Sequence, residues 1–191
     1  MTNPNADYKE DISYYSRSRS WPFLFNIKHG SRVLDVGCGT GVLGKLLYDK
    51  LECKVTGLEI VEENYHQAKK VLDKVLLGDV ETMLFPDKDF TFDYIIFSDS
   101  LEHLLNPDQV LERVAKLLNH NGSLLISMPN VRNFRVTLPL LFLDSWEYQE
   151  EGLLDKTHLR FFTYKSLMNL LKSKEFNVEK ELLLALMGIE T

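Results

Sequence analysis

Val33-Leu34-Asp35-Val36-Gly37-Cys38-Gly39-Thr40-Gly41, the stretch VLDVGCGTG, runs from apolar strand character into three glycines spaced two apart. Directly after it, Val42, Leu43, Leu46, Leu47 and Leu51 recur at helical spacing. Strand, glycine loop and helix in that order form the opening unit of an open α/β sheet, and a loop without side chains lets a ligand come close to bare backbone. In one register Gly39, Gly41 and Gly44 match the G-x-G-x-x-G dinucleotide fingerprint. That register places Gly37 inside the strand. In the other, the strand ends at Val36, the loop is residues 37–41, and Asp35 stands at the strand's carboxyl end beside the loop.

The second register sets the charge of the ligand. A carboxylate beside the loop repels a pyrophosphate, attracts an ammonium group and is tolerable near a sulfonium. S-adenosylmethionine, whose reacting half is cationic, suits this pattern better than a nicotinamide dinucleotide. Glu59 closes the next strand signal, KVTGLEI, at the distance where an acid reaches ribose hydroxyls in both nucleotide classes. Asp79 in VLLGDV follows the third, where it reaches toward an adenine amino group or serves as plain turn chemistry.

Outward from this unit, strand and helix signals alternate. EENYHQAKKVLDK reads as a helix, VLLGDV and DYIIFSDS as strands, PDQVLERVAKLLNHNG as a helix with Pro107 near its start and Gly122 past its end, and SLLISMP as a fifth strand stopped by Pro129. Continuous apolar strands alternating with helices predict a Rossmann-like, mostly parallel, doubly wound α/β sheet with helices on both faces. One domain over residues 1–191 is expected. It comprises an N-terminal arm or lid (1–30), a cofactor-binding core (31–130), an aromatic-rich excursion on the substrate side (131–162), and a terminal helix and strand (163–191). In the arm, Tyr14, Tyr15, Arg17 and Arg19 read as a lid anchored by Trp21, Phe23 and Phe25.

Composition excludes several classes. The 191 residues carry 22 Lys and Arg against 28 Asp and Glu, a formal net charge of −6, and no run of basic residues. Nucleic acid and anionic membrane therefore find no electrostatic footprint. Cys38 and Cys53 form neither a disulfide framework nor a metal-ligand spacing, so no metal is expected. The polar start MTNPNADYKED carries no secretory signal, and the apolar run 138–143 is far too short to span a bilayer, which predicts a cytoplasmic protein.

Ligands of such sheets bind beyond the carboxyl ends of the strands. His103 in SLEHL follows strand four and faces the reacting end. His158 in DKTHLRFF, flanked by Asp155 and Arg160, lies in the excursion. Each histidine reads either as a catalytic base or as a packing residue, and Asp155 and Arg160 as substrate contacts.

Together these segments resemble the class I S-adenosylmethionine-dependent methyltransferases. VLDVGCGTG is similar to their first motif, GLEI to the second, GDVE to the third and FDYIIFSDSLEHL to the fourth. The tail GLLDKTHLRFFTYKSLMNLL resembles the small-molecule branch of methyltransferase types 23 and 11, and the middle region the MetW-like proteins. The resemblance implies S-adenosylmethionine as cofactor, held by Asp35, Gly37, Cys38, Gly39, Gly41, Glu59, Ile60, Asp79, Val80 and Ser98. The family's reversed seventh strand is not evident before Thr191. The function implied is methyl transfer to a small-molecule acceptor, most naturally at oxygen. The alternative, implied by the MetW-like region, is a non-catalytic module that assists a partner enzyme. The residues name neither the acceptor nor the oligomeric state.

Overall fold

In the computed structural model, which describes residues 21–85 and 90–179, the VLDV run becomes β1 (Arg32–Val36), the centre of a five-stranded sheet. Its companions are β2 (Lys54–Glu59), β3 (Lys74–Leu77), β4 (Phe92–Ser98) and β5 (Leu118–Ser127), in the order β3-β2-β1-β4-β5 with every pairing parallel. This is the expected doubly wound architecture. The chain winds outward to one edge through β2 and β3, then crosses to the other side of β1 for β4 and β5. The crossover leaves the carboxyl ends of β1 and β4 side by side, with Val36 opposite Phe97.

Helices cover both faces. One apolar cluster joins Val33, Val55, Tyr94 and Ile96 to Leu43 and Leu47 of α2 (Val42–Leu51), Ala68 of α3 (Glu62–Ala68), and Phe23 and Ile27. Phe23 lies in the short helix α1 (Trp21–Leu24). On the other face Leu34, Val36, Phe92, Ile95 and Phe97 pack with Val110, Leu111 and Val114 of α4 (Pro107–Ala115) and Leu171 of α6 (Tyr164–Ser173). Phe23 thus anchors the start of the domain as expected, whereas Phe25 is exposed. The expected lid residues Tyr14, Tyr15, Arg17 and Arg19 lie outside the described residues.

Three boundaries depart from the sequence pattern. The helix expected over 107–122 stops at Ala115, and Gly122 lies within β5 instead of capping it. The pairing of β4 with β5 slips between Phe92↔Leu118 and Tyr94↔Ser123, and a Cβ on Gly122 would sit 3.0 Å from the carbonyl oxygens of Asn119 and Phe92. The glycine is there for backbone crowding at a bulge. Asp93, within β4, accepts from Arg32 N at 2.8 Å and from Asn119 Nδ2 at 2.7 Å, stapling β1, β4 and β5 at their amino ends. The excursion contains a helix, α5 (Phe134–Leu143), opened by the Asn133 side chain accepting from Arg135 N. The last strand-like piece, 177–186, has no strand over 177–179 and otherwise lies outside the described residues. Among the described residues no helix is long and apolar enough to cross a membrane.

Asp35 sits in the middle of this sheet, between Gly57 and Ile96, 1% exposed, and neither carboxylate oxygen has a hydrogen-bond partner among the described residues. Burial, and then the nearby Glu59 carboxylate, push its carboxyl up to about 7. The folded state therefore holds a proton that the unfolded chain releases near the ordinary value of 3.8, so this group's contribution to stability falls as pH rises from 3.8 to about 7. Asp35→Asn is expected to raise the melting temperature of the ligand-free protein at pH 8 and to flatten its decline between pH 4 and 8. Thermal melts across that range check this, and a variant less stable than the parent at pH 8 would contradict it.

Candidate active site

The glycine loop is built by its backbone. Gly37 N and Cys38 N donate to Leu58 O at 2.8 and 3.1 Å, turning the chain over the end of β2. Glu59, buried at that end, then clamps it. Its Oε2 accepts from Gly39 N at 2.7 Å, while Oε1 accepts from Ile60 N at 3.0 Å and Val61 N at 2.8 Å. One carboxylate thus ties the loop to the residues that lead into α3. The sequence pattern predicts a ribose contact for Glu59. The structure gives it this organising role and leaves its place beside the loop intact.

The three glycines meet different surroundings. A Cβ on Gly37 would lie 2.9 Å from Ser100 Cβ, and Ser100 Oγ donates to Val36 O at 2.8 Å, so β1 and the chain after β4 touch here. A Cβ on Gly41 would lie 2.9 Å from Val71 Cγ2 and 3.2 Å from Ala68 Cα, so this glycine faces protein. Gly39, at φ +54°, would meet no heavy atom within 4 Å and is the one of the three that presents bare backbone to open space. The Cys38 side chain points inward, its Sγ 2.6 Å from where a Gly57 Cβ would stand. Its thiol is pushed well up by burial and by Asp35 and Glu59, which makes it a filler.

The remaining expected cofactor contacts divide. Ile60 is exposed beside the clamp, and Ser98 is half-buried at the end of β4. Val80 is buried in the core with Leu58 and Phe90. Asp79 Oδ1 accepts from Glu81 N at 2.8 Å, and its carbonyl accepts from Thr82 N and Met83 N, which is the turn chemistry of its alternative reading.

Beyond β4 the chain makes a 3₁₀ turn, Leu101–His103, and the excursion folds back onto it. Glu102 O accepts from both Leu159 N and Arg160 N at 3.0 Å. This staple brings His103 and His158, distant in sequence, to a ring separation of 4.9 Å at 69°. His158 is buried, its Nε2 3.9 Å from Glu102 Oε1, and the Glu102 side chain is 2% exposed. Burial, followed by the His103 ring, lowers the His158 pKa, against weaker opposing effects of Asp155, the Leu153 carbonyl and Asp99. Asp155 beside His158 in sequence suggests a raised value; desolvation outweighs a carboxylate that is committed elsewhere. Asp155 Oδ1 accepts from Thr157 N at 2.7 Å and Thr157 Oγ1 at 2.6 Å. Arg160 donates to Leu105 O. Both expected substrate contacts thus spend hydrogen bonds on holding the excursion in place. Sequence reasoning misses Glu102, Ser100 and Thr157. Glu102 sits in the same SLEHL as His103, and nothing local marks a glutamate as buried.

A family model described as a methyltransferase domain matches residues 8–181. The ubiquinone biosynthesis O-methyltransferase of Bos taurus mitochondria is 29% identical over 161 residues, 78% of this chain and 42% of that protein. The (S)-tetrahydroprotoberberine N-methyltransferase of Eschscholzia californica is 26% identical over 63% of this chain and 36% of its own length. The chain thus spans less than half the length of these curated relatives. Among solved structures, a SAM-dependent methyltransferase from Thermotoga maritima superposes with a TM-score of 0.64 at 21% identity, covering 90% of this chain and 79% of that one. One from Archaeoglobus fulgidus gives 0.63 at 19%, covering 89% and 69%. The sheet order, the acid-flanked glycine loop and the family model spanning most of the sequence agree, and the chain belongs to the class I S-adenosylmethionine-dependent methyltransferases.

Proposed function

We propose that this domain transfers a methyl group from S-adenosylmethionine to a small molecule, at oxygen. The observation that carries the reading is the pairing of two sites at one sheet edge. The acid-flanked loop of β1 and β2 touches, through Gly37 and Ser100, the turn that carries Glu102 and His103. The residues present fit the cofactor. A buried Asp35 without a hydrogen-bond partner among the described residues favours a cationic neighbour, and Gly39 leaves space where backbone must be approached. Asp35, Gly37, Gly39, Glu59 and Asp79 would hold it. When bound, it supplies an electrophilic methyl on a sulfonium. Transfer of that methyl to an acceptor hydroxyl would leave a neutral thioether and release the hydroxyl proton. The protein's part is alignment, exclusion of water and management of that proton. His103 and His158 are the groups proposed to meet the acceptor, with Asp155 and Arg160 shaping the wall behind them. Relatives named as a ubiquinone biosynthesis O-methyltransferase and an (S)-tetrahydroprotoberberine N-methyltransferase support a small-molecule acceptor.

A second reading has one observation in its favour. Helix α5 exposes Leu138, Leu141, Phe142 and Leu143, an apolar face of the kind used to contact a partner. In that reading the domain assists another enzyme, and turnover by the isolated chain is absent.

Calorimetry is expected to show binding of S-adenosylhomocysteine and none of NAD; the reverse would sink the cofactor reading. Gly39→Ala should fold at a cost of roughly 1–2 kcal/mol for an L-residue at φ +54°, its Cβ meeting no heavy atom within 4 Å, and should bind S-adenosylhomocysteine about tenfold or more weaker, a loss of at least ~1.4 kcal/mol. Normal affinity would mean the loop is only a turn. Glu59→Ala, which orphans three backbone donors, is expected to lower both the melting temperature and the affinity, the latter by about 1–3 kcal/mol. Formation of S-adenosylhomocysteine with a panel of phenols, alcohols and amines tests the transfer itself. His158→Ala should slow it by roughly 10²-fold with cofactor affinity unchanged. An absence of turnover with every acceptor, from a chain that binds cofactor, favours the assisting module.

A further inference from the structure

A buried carboxylate and two imidazoles converge beside the acceptor face. One ligand-type atom from each of Glu102, His103 and His158 lies within 4.8 Å of the other two. We propose that these three side chains form a binding site for a divalent transition-metal ion of the zinc type, open on its outer side to the acceptor. The proposal rests on the methyl-transfer reading for its use, though not for its existence.

The hydrogen bonds around the cluster prepare the histidines as ligands. His103 Nδ1 lies 3.1 Å from Thr157 O, which can only accept, and 3.2 Å from Thr157 Oγ1, whose own proton goes to Asp155 at 2.6 Å. Both contacts require a proton on Nδ1. That tautomer leaves the lone pair on Nε2. The His158 ring has the Leu153 carbonyl as a hydrogen-bond partner, and its Nε2 faces Glu102 Oε1 at 3.9 Å. A histidine that donates one N–H to a backbone carbonyl while presenting its other nitrogen is the usual outer arrangement of a metal ligand.

Charge points the same way. Glu102 is 2% exposed and stands 3.9 Å from the His158 imidazole. That carboxylate and the two imidazoles form a ligand set that a divalent ion can share. Asp99 and Asp155 add negative potential around His158. Two imidazoles and one carboxylate suit zinc or ferrous iron, while magnesium and calcium prefer all-oxygen sets. The ligands are also held before any ion arrives. Leu159 N and Arg160 N bind Glu102 O, and Thr157 binds His103, so the two segments meet in a fixed register. His103 is exposed and gives access from solvent.

The site would change the part the histidines play. They hold the cation, the acceptor hydroxyl binds its open position and becomes acidic enough to lose its proton to water, and the oxygen then takes the methyl. Charge balances, because the sulfonium's positive charge ends as that released proton.

The test uses the full chain after chelator treatment. Zn²⁺ titrated by calorimetry is expected to bind at one equivalent, and Co²⁺ to give the visible absorption of a low-coordinate N/O site. His103→Ala, at an exposed position, and the near-isosteric Glu102→Gln should each weaken Zn²⁺ binding by at least about tenfold. Their circular dichroism and S-adenosylhomocysteine affinity should stay those of the parent. Failure to take up one equivalent of Zn²⁺ in a protein that binds S-adenosylhomocysteine overturns the metal site and leaves the transferase reading standing. Zn²⁺ binding unchanged in both variants places the ion elsewhere and overturns it as well. Stoichiometric Zn²⁺ lost in the variants, from a chain that binds no S-adenosylhomocysteine, supports the site and sinks the transferase reading instead.

Discussion

A single carboxylate at the end of β2 holds the ligand-binding edge together. Glu59 is buried and accepts three backbone N–H groups, one from the glycine loop and two from the residues leading into α3. Charge-assisted bonds of this kind are about twice as strong as neutral ones, and a clamp of three sets the loop without side chains of its own. The same carboxylate raises the pKa of Asp35 in the neighbouring strand. The edge is therefore organised around one acid that accepts three N–H groups and one that has no hydrogen-bond partner among the described residues. The second is stable only with a proton or with a positive charge beside it, which suits a cofactor with a cationic reacting half.

The segment 155–160 depends on a second backbone constraint. Glu102 O receives two N–H groups from the excursion, and Thr157 receives His103 Nδ1–H, so residues 155–160 are laid across the 3₁₀ turn after β4. Ser100, two residues earlier, is pressed against Gly37. The glycine loop and residues 155–160 thus both rest on one short segment, 98–103.

Helix α5 stands apart from this arrangement. Its Val136 is buried, yet Leu138, Leu141, Phe142 and Leu143 are exposed.

Much of this is legible in the residues alone. Strand period, the glycine loop and the acids at strand ends are local signals, because backbone conformation and burial imprint a pattern within a few positions. They lead to the parallel sheet and its five strands, and they place the glycine loop at a strand end. Local signals fail where two segments compete for one glycine or one carboxylate. Gly122 reads as a helix stop and serves a bulge; Asp155 reads as the partner of His158 and binds Thr157. The convergence of Glu102, His103 and His158 is out of reach, since its histidines lie far apart in the chain and nothing nearby marks a glutamate for burial. By itself the sequence determined which atoms stand at each strand end, because the pleat and the glycines set that locally. Only the tertiary structure decided which distant side chains face one another and which acid keeps its proton, because both depend on desolvation and on backbone hydrogen bonds between segments far apart in the chain.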